Sequence, residues 1–183
     1  MINGSDDIEV VSQCLHGRPE AFRVLVDRYY KVIFNIAYRI SRNVQDAEDI
    51  TQSVFTKVFE KLHTYNRDYR FFSWIYRISV NEALNHVERY SRNTELMDDK
   101  MESSISPEEG ASGSDIREMI DDALMEMELD YRVLIVLKHF HDLSYREMAY
   151  VVDIPEKKVK SRLFAARQIL KERLIKKGID FHG

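Results

Sequence analysis

Residues 144–178 read SYREMAYVVDIPEKKVKSRLFAARQILKERLIKKG, and few folds can accommodate this arrangement. Ser144 and Glu147 form an S-x-x-E capping box that starts a short helix. Asp153 stands four residues after the small Ala149, so the chain can turn through a left-handed residue while a second helix packs close to the first. Pro155 suits the first position of that second helix, and Gly178 suits its end, about 22 residues later. A short helix, a tight turn and a long helix make the helix-turn-helix pattern, with Met148, Val152, Ile154, Val159 and Leu163 as its small core.

Charge gives the pattern a direction. Residues 156–177 hold nine basic and two acidic side chains, whereas residues 115–155 have an acidic excess and the whole chain is at −4. The net charge argues against indiscriminate binding to polyanions, and the local basic helix argues for a specific one. Lys157, Lys158, Lys160, Ser161, Arg162, Phe164 and Arg167 are the residues this helix would offer to a duplex. Cations neutralise phosphates, and Arg or Lys can donate to guanine O6 and N7. The competing explanation of such a run is a solvated basic face, and the cap and turn spacing weigh against it.

Upstream, the periodicity is helical. Phe22, Leu25, Val26, Tyr29, Ile33, Ile36, Ala37 and Ile40 recur at spacings of three and four, an amphipathic helix. Asn43 is an N-cap for a second helix to about Leu62, with Asp46, Glu48 and Asp49 in the early turns where the helix dipole favours negative charge. A polar and aromatic loop, HTYNRDYR, leads into a third helix from about Phe71 to Ser91. On it Phe71, Trp74, Ile75, Ile78 and Glu82 share one side, and Arg70, Arg77, Asn81, Asn85 and Arg89 lie along another. The aromatic run RFFSWIYRISVN therefore reads as a packing face joined to a polar, basic face.

Residues 93–114 hold six acidic residues and one basic residue with Ser, Gly and Pro, a composition expected of a flexible linker. With 6 Gly and 3 Pro in 183 residues, the turn punctuation of a β-sandwich is missing. The expected architecture is all-α: two small helical domains, 1–92 and 115–183, joined by an acidic linker over 93–114. No apolar run approaches a membrane span or a signal-peptide core, so a soluble, cytoplasmic protein is expected. Cys14 with His16, and His139 with His141, belong to no recognisable metal-ligand set, and no metal or cofactor is expected. There is no Gly-rich phosphate loop, G-x-S-x-G or HExxH, so an enzyme is not expected either.

Three segments taken together, DAEDITQSVFTKVFEKL, FFSWIYRISVNEALNH and LSYREMAYVVDIPEKKVKSRLFAARQIL, resemble the extracytoplasmic-function RNA polymerase sigma factors. The resemblance runs from about Ala21 to Leu174. It implies that the first domain binds core polymerase and reads the minus-ten promoter element, and that the second reads the minus-thirty-five element. Asp46, Asp49, Gln52, Phe55 and Phe59 would dock on the clamp helices of the largest polymerase subunit, with Ser53 departing from the Glu of many relatives. Tyr65, Tyr69, Arg70, Trp74, Arg77, Asn81, Asn85 and Arg89 would meet the minus-ten element, where a base is turned out of the duplex at a cost of a few kcal/mol. Lys157 and Lys158 replace a usual Gly-Thr, and Ala165 a frequent Arg, so an altered or weaker minus-thirty-five preference is expected. An anti-sigma factor is a further partner the resemblance brings in. The reading from another class is a stand-alone helix-turn-helix regulator whose N-terminal helices dimerise or sense a signal.

Overall fold

The computed structural model describes residues 4–95 and 114–179, and every described element is helical. α1 spans Gly4–Leu15, α2 Phe22–Ser41, α3 Val44–Lys61, α4 Phe71–Glu95, α5 Ser114–Met125, α6 Leu129–Ile135, α7 Tyr145–Val152 and α8 Glu156–Lys176. α1 was not expected from the sequence. It is fastened by Asp7, buried, whose carboxylate accepts from the Tyr29 hydroxyl at 2.6 Å and pairs with Arg28, while Val11 enters the core. Burial and the neighbouring Asp7 carboxylate push the Tyr29 phenol well above its ordinary pKa.

α2, α3 and α4 pack mutually and form the first core. The residues expected on the inner face of α2 are there: Leu25, Tyr29, Ile33, Ile36, Ala37 and Ile40 are fully buried. Asn43 caps α3, its side-chain oxygen accepting from the Asp46 amide at 3.0 Å. α2 ends where Arg42 takes a left-handed conformation, φ 57°.

In the second unit the capping box is complete. Ser144 Oγ accepts from the Glu147 amide, and Glu147 Oε2 accepts from the Ser144 amide at 2.9 Å. Asp153 is left-handed, φ 55° and ψ 41°, and its amide donates to the Ala149 carbonyl. The expected turn is therefore present at the expected residue. Pro155 sits one position earlier than expected, as the N-cap residue of α8 with ψ 142°, so that Glu156 is the first helical residue. At the other end Gly178 has φ 88°, and the Ile179 amide reaches back to the Leu174 carbonyl at 3.0 Å. This left-handed position is one a side chain would resist. Met148, Val159 and Leu163 are buried as expected, whereas Val152 and Ile154 are only half-buried and line a small cavity against α4. After α6 the backbone continues as a π-turn over Val136–Phe140.

The expected linker lies outside the described residues between 96 and 113. Of its ends, Asn93–Glu95 continue α4 and Ser114 begins α5. The two helical units also pack on one another, α7 lying along α4, and their buried residues form one continuous apolar cluster. Among the described residues no helix is long and apolar enough to cross a membrane, and no group of three His, Cys, Asp or Glu is placed to hold a metal ion.

Candidate functional site

Three surfaces gather the residues singled out by the sequence. The first is an open groove of about 1060 Å³ between α2 and α3. Phe22, Val26, Tyr30, Phe55 and Phe59 make its apolar floor, and Glu48, Asp49, Gln52 and Glu60 its polar edge. The rings hold each other in place: Phe22 meets Phe59 edge-on at 5.1 Å, and Tyr30 stacks on Phe55 at 6.4 Å. Phe59 and Tyr30 remain about half exposed, so the groove has apolar area that nothing described covers. Asp49, Gln52, Phe55 and Phe59 are thus brought together. Asp46 is not, because its carboxylate turns toward α4 and lies 3.1 Å from His86 Nε2. Phe22, Val26 and Tyr30 belong to the groove and were read from the sequence only as a helical period or not at all.

Beside the groove, Ser53 donates to Glu82 Oε2 at 2.8 Å, and Lys57 pairs with the other oxygen of the same carboxylate. Burial alone would raise the Glu82 pKa, but the hydrogen bonds from Lys57 and Ser53 outweigh it and hold the carboxyl below its usual value. Ser53 therefore serves α3–α4 packing in this chain.

The second surface is the polar side of α4 and the loop before it. The division of RFFSWIYRISVN into two faces is only half of what is found. Phe71, Trp74 and Ile75 are buried against α2 and α3 as expected, but Ile78 is half-buried, and Tyr76, Val80 and Ala83 are buried too. Trp74, offered to DNA by the resemblance, is 7% exposed and packs with Tyr65 and Phe71, which places both Trp74 and Tyr65 in the wall beneath the surface. Asn81, Asn85 and Arg89 are exposed. Tyr69, Arg70 and Arg77 are engaged by the second unit. The Tyr69 ring stacks on Tyr150 at 3.9 Å, Arg70 faces Glu147 at 3.8 Å, and Arg77 donates to the Tyr150 carbonyl at 3.1 Å and pairs with Asp153 at 3.2 Å. Helical phase could not show this, because the partner is 73 residues away in sequence.

The third surface is the outer side of α8. Lys157, Lys158, Lys160, Ser161 and Phe164 are exposed, Phe164 at 65%. Lys160 is paired with Glu156 at 2.7 Å, a bond that raises its pKa, and it lies 5.4 Å over the Tyr145 ring. Arg162 and Arg167 are half-buried and turn back onto the body, Arg162 to Asp130 at 3.2 Å and Arg167 Nε to His139 Nε2 at 3.1 Å. The exposed members of this set lie in the N-terminal half of α8, from Lys157 to Phe164.

Comparison with known proteins matches a segment of each helical unit to a named region. Residues 25–93 match the family model Sigma-70 region 2, and residues 117–170 the model Sigma-70, region 4. The chain is 30% identical to the ECF RNA polymerase sigma-E factor of Escherichia coli K12 over 178 residues, 90% of this chain and 92% of that one. It is 28% identical to the RNA polymerase sigma-H factor of Pseudomonas aeruginosa over 95% of this chain and 96% of that one. Among solved structures, the sigma factor RpoE in its complex with the anti-sigma factor NepR from Bartonella quintana shares the fold with a TM-score of 0.73 at 23% identity, covering 84% of this chain and 96% of that one. CnrH, solved with the cytosolic domain of CnrY, gives 0.68 at 23% identity, covering 90% and 94%. The chain belongs to the extracytoplasmic-function RNA polymerase sigma factors.

Proposed function

We propose that this sigma factor binds core RNA polymerase through the α2–α3 groove, directs it to promoters and assists their opening, with no catalysis of its own. In this reading residues 1–92 bind polymerase and the minus-ten element, 93–114 connect the two units, and 115–183 read the minus-thirty-five element. The protein works in the cytoplasm, where its polymerase and promoter DNA are. The observation that carries the reading is the groove: exposed Phe59 and Tyr30 beside Asp49, Gln52 and Glu60. An apolar centre with a polar rim is what a protein interface uses, and its acidic edge would repel DNA. Its occupant is the clamp-helix segment of the largest polymerase subunit.

On α4, Arg77, Asn81, Asn85 and Arg89, with Tyr69 and Arg70 from the loop, are the groups for the separated minus-ten strand. On α8, Lys157, Lys158 and Lys160 supply phosphate contacts, and Phe164 supplies an apolar contact to a thymine methyl. An anti-sigma factor is a natural further partner, since RpoE and CnrH were each solved with a protein partner and this chain leaves an apolar groove open. The test is the binding of purified core enzyme to the protein and to its Phe59→Ala/Asp49→Lys variant. The unsubstituted protein should bind tightly and the variant at least ten-fold more weakly, a loss of about 1.4 kcal/mol or more. Equal binding by the two would remove the groove from the interface.

A further inference from the structure

Building on the sigma-factor reading, we propose that Tyr65 is a positioning residue for the minus-ten loop: its hydroxyl clasps the Tyr69 carbonyl and fixes the direction in which Tyr69 and Arg70 meet a base turned out of the duplex. The bond is 2.7 Å long and joins the two ends of the turn 65–69. Every residue of 63–70 is exposed except Tyr65, which packs against the apolar core and is the loop's side-chain anchor there. The anchor is seated among rings. Tyr65 meets Phe71 edge-on at 5.3 Å and lies 5.7 Å from Trp74, and Phe71 in turn meets Tyr29, whose hydroxyl is bonded to the buried Asp7 of α1 at 2.6 Å. Burial and the Asp7 carboxylate both raise the Tyr65 pKa, so the hydroxyl keeps its proton and donates it to the carbonyl.

Beyond Tyr65 the turn is made of local bonds. Asn66 Oδ1 accepts from the Asp68 amide at 2.9 Å, the Asn66 carbonyl accepts from the Tyr69 amide at 3.2 Å, and the Arg70 carbonyl accepts from the Ser73 amide at 3.0 Å as α4 begins. Bonds open to water order a turn only weakly, because solvent competes for each donor and acceptor. The Tyr65 hydroxyl adds a tie of another kind, from a ring held in the wall of the unit to the exposed end of the turn. Side chains that must select one base over another depend on such support, since a site left about 1 Å too loose loses its selectivity. The bond is made to backbone, so it sets the loop whatever the Tyr69 ring itself stacks on. Tyr65 thus acts through Tyr69 and Arg70 and touches no base itself.

Tyr65→Phe keeps the ring beside Phe71 and Trp74 and removes only the donor. The full chain and this variant are each combined with core enzyme on a promoter that the unsubstituted protein transcribes, its minus-ten positions randomised, and the RNA from each template is counted. The variant should bind core enzyme as the unsubstituted protein does and keep its denaturation midpoint. Its preference for the favoured base at a single minus-ten position should fall about three- to ten-fold, the range one neutral hydrogen bond carries, while the other positions hold theirs. In the free protein the Tyr69 amide should exchange its hydrogen several-fold faster in the variant. Unchanged preference at every position, a fall spread evenly over all of them, or an unsubstituted protein that transcribes without preferring any minus-ten base overturns the proposal, and so does an unchanged Tyr69 exchange rate. Ile40→Val, a core truncation at the other end of α2 from Tyr29, controls for lost stability, and the proposal also falls if this variant flattens the same position. If the unsubstituted protein transcribes no fragment of a genomic library with core enzyme, it is the sigma-factor reading that fails.

Discussion

Arg132 is a buried cation in the middle of an apolar stretch, YRVLIVL, at 6% exposure. Among the described residues its partners are four backbone carbonyls, three at or just after the end of α5 and one from α2. These are acceptors at helix C-termini, where a nearby cation is favourable. Burial holds its pKa below the ordinary arginine value. Arg132→Met keeps the aliphatic stem and removes the donors. It should cost about 2–4 kcal/mol in denaturant unfolding, since unpaired buried acceptors lose their solvation without recompense. Nothing in the sequence announced this role, because a ring of carbonyls from two helices leaves no pattern of side chains. By contrast Asp153 and Ser144 were legible, since caps and left-handed turns are local chemistry that residue type and spacing state directly.

His141 gives a second test at this scale. Burial, then the nearby Arg39 charge, lower its pKa to about 4, and its Nε2 is buried without a hydrogen-bond partner. An unfolded histidine titrates near 6.5, so between about pH 6.5 and 4 the unfolded chain binds a proton that the folded chain refuses. Stability from this group is complete above that window and is lost as pH falls through it. The melting temperature of the protein should therefore fall from pH 7 to pH 5, and His141→Gln should flatten that fall; parallel curves for the two would show that the ring is not desolvated.

At the scale of elements, α4 is the instructive case. Its apolar period correctly placed Phe71, Trp74 and Ile75 inside, and Phe71→Ala should cost about 3–5 kcal/mol. Ile78, only half-buried, should cost less than Phe71 on truncation, and chemical denaturation of the two variants will rank them. A ranking in which Ile78→Ala is the more damaging would reverse the packing of the helix. Tyr76 is packed against the ring of His141, on the far side of the connecting segment, and a period can count only one buried face. α1 was missed because its anchor, beside Val11, is the Asp7 carboxylate bonded to Tyr29 and Arg28, which an apolar period does not register. The capping box at the start of α7 is testable by Ser144→Ala, expected to cost about 1 kcal/mol, because one N-terminal amide loses its acceptor.

For the whole molecule, composition and charge separated two helical units and a basic helix; the Sigma-70 region 2 and region 4 matches span residues 25–93 and 117–170. What they could not express is that the acidic part of the second unit, before α8, lies against cations of the first, with Asp121, Asp122, Glu147 and Asp153 facing Arg42, Arg70 and Arg77. These pairs are partly exposed, so their attraction is screened by salt. As a sigma factor, this chain gives core polymerase its promoter specificity. The direct measurement is transcription of a genomic fragment library by purified core enzyme, with and without the protein, followed by mapping of RNA 5′ ends. A discrete set of starts that appears only with the protein, each preceded by a shared pair of sequence elements, is the predicted result. A folded protein that adds no new starts would contradict the account.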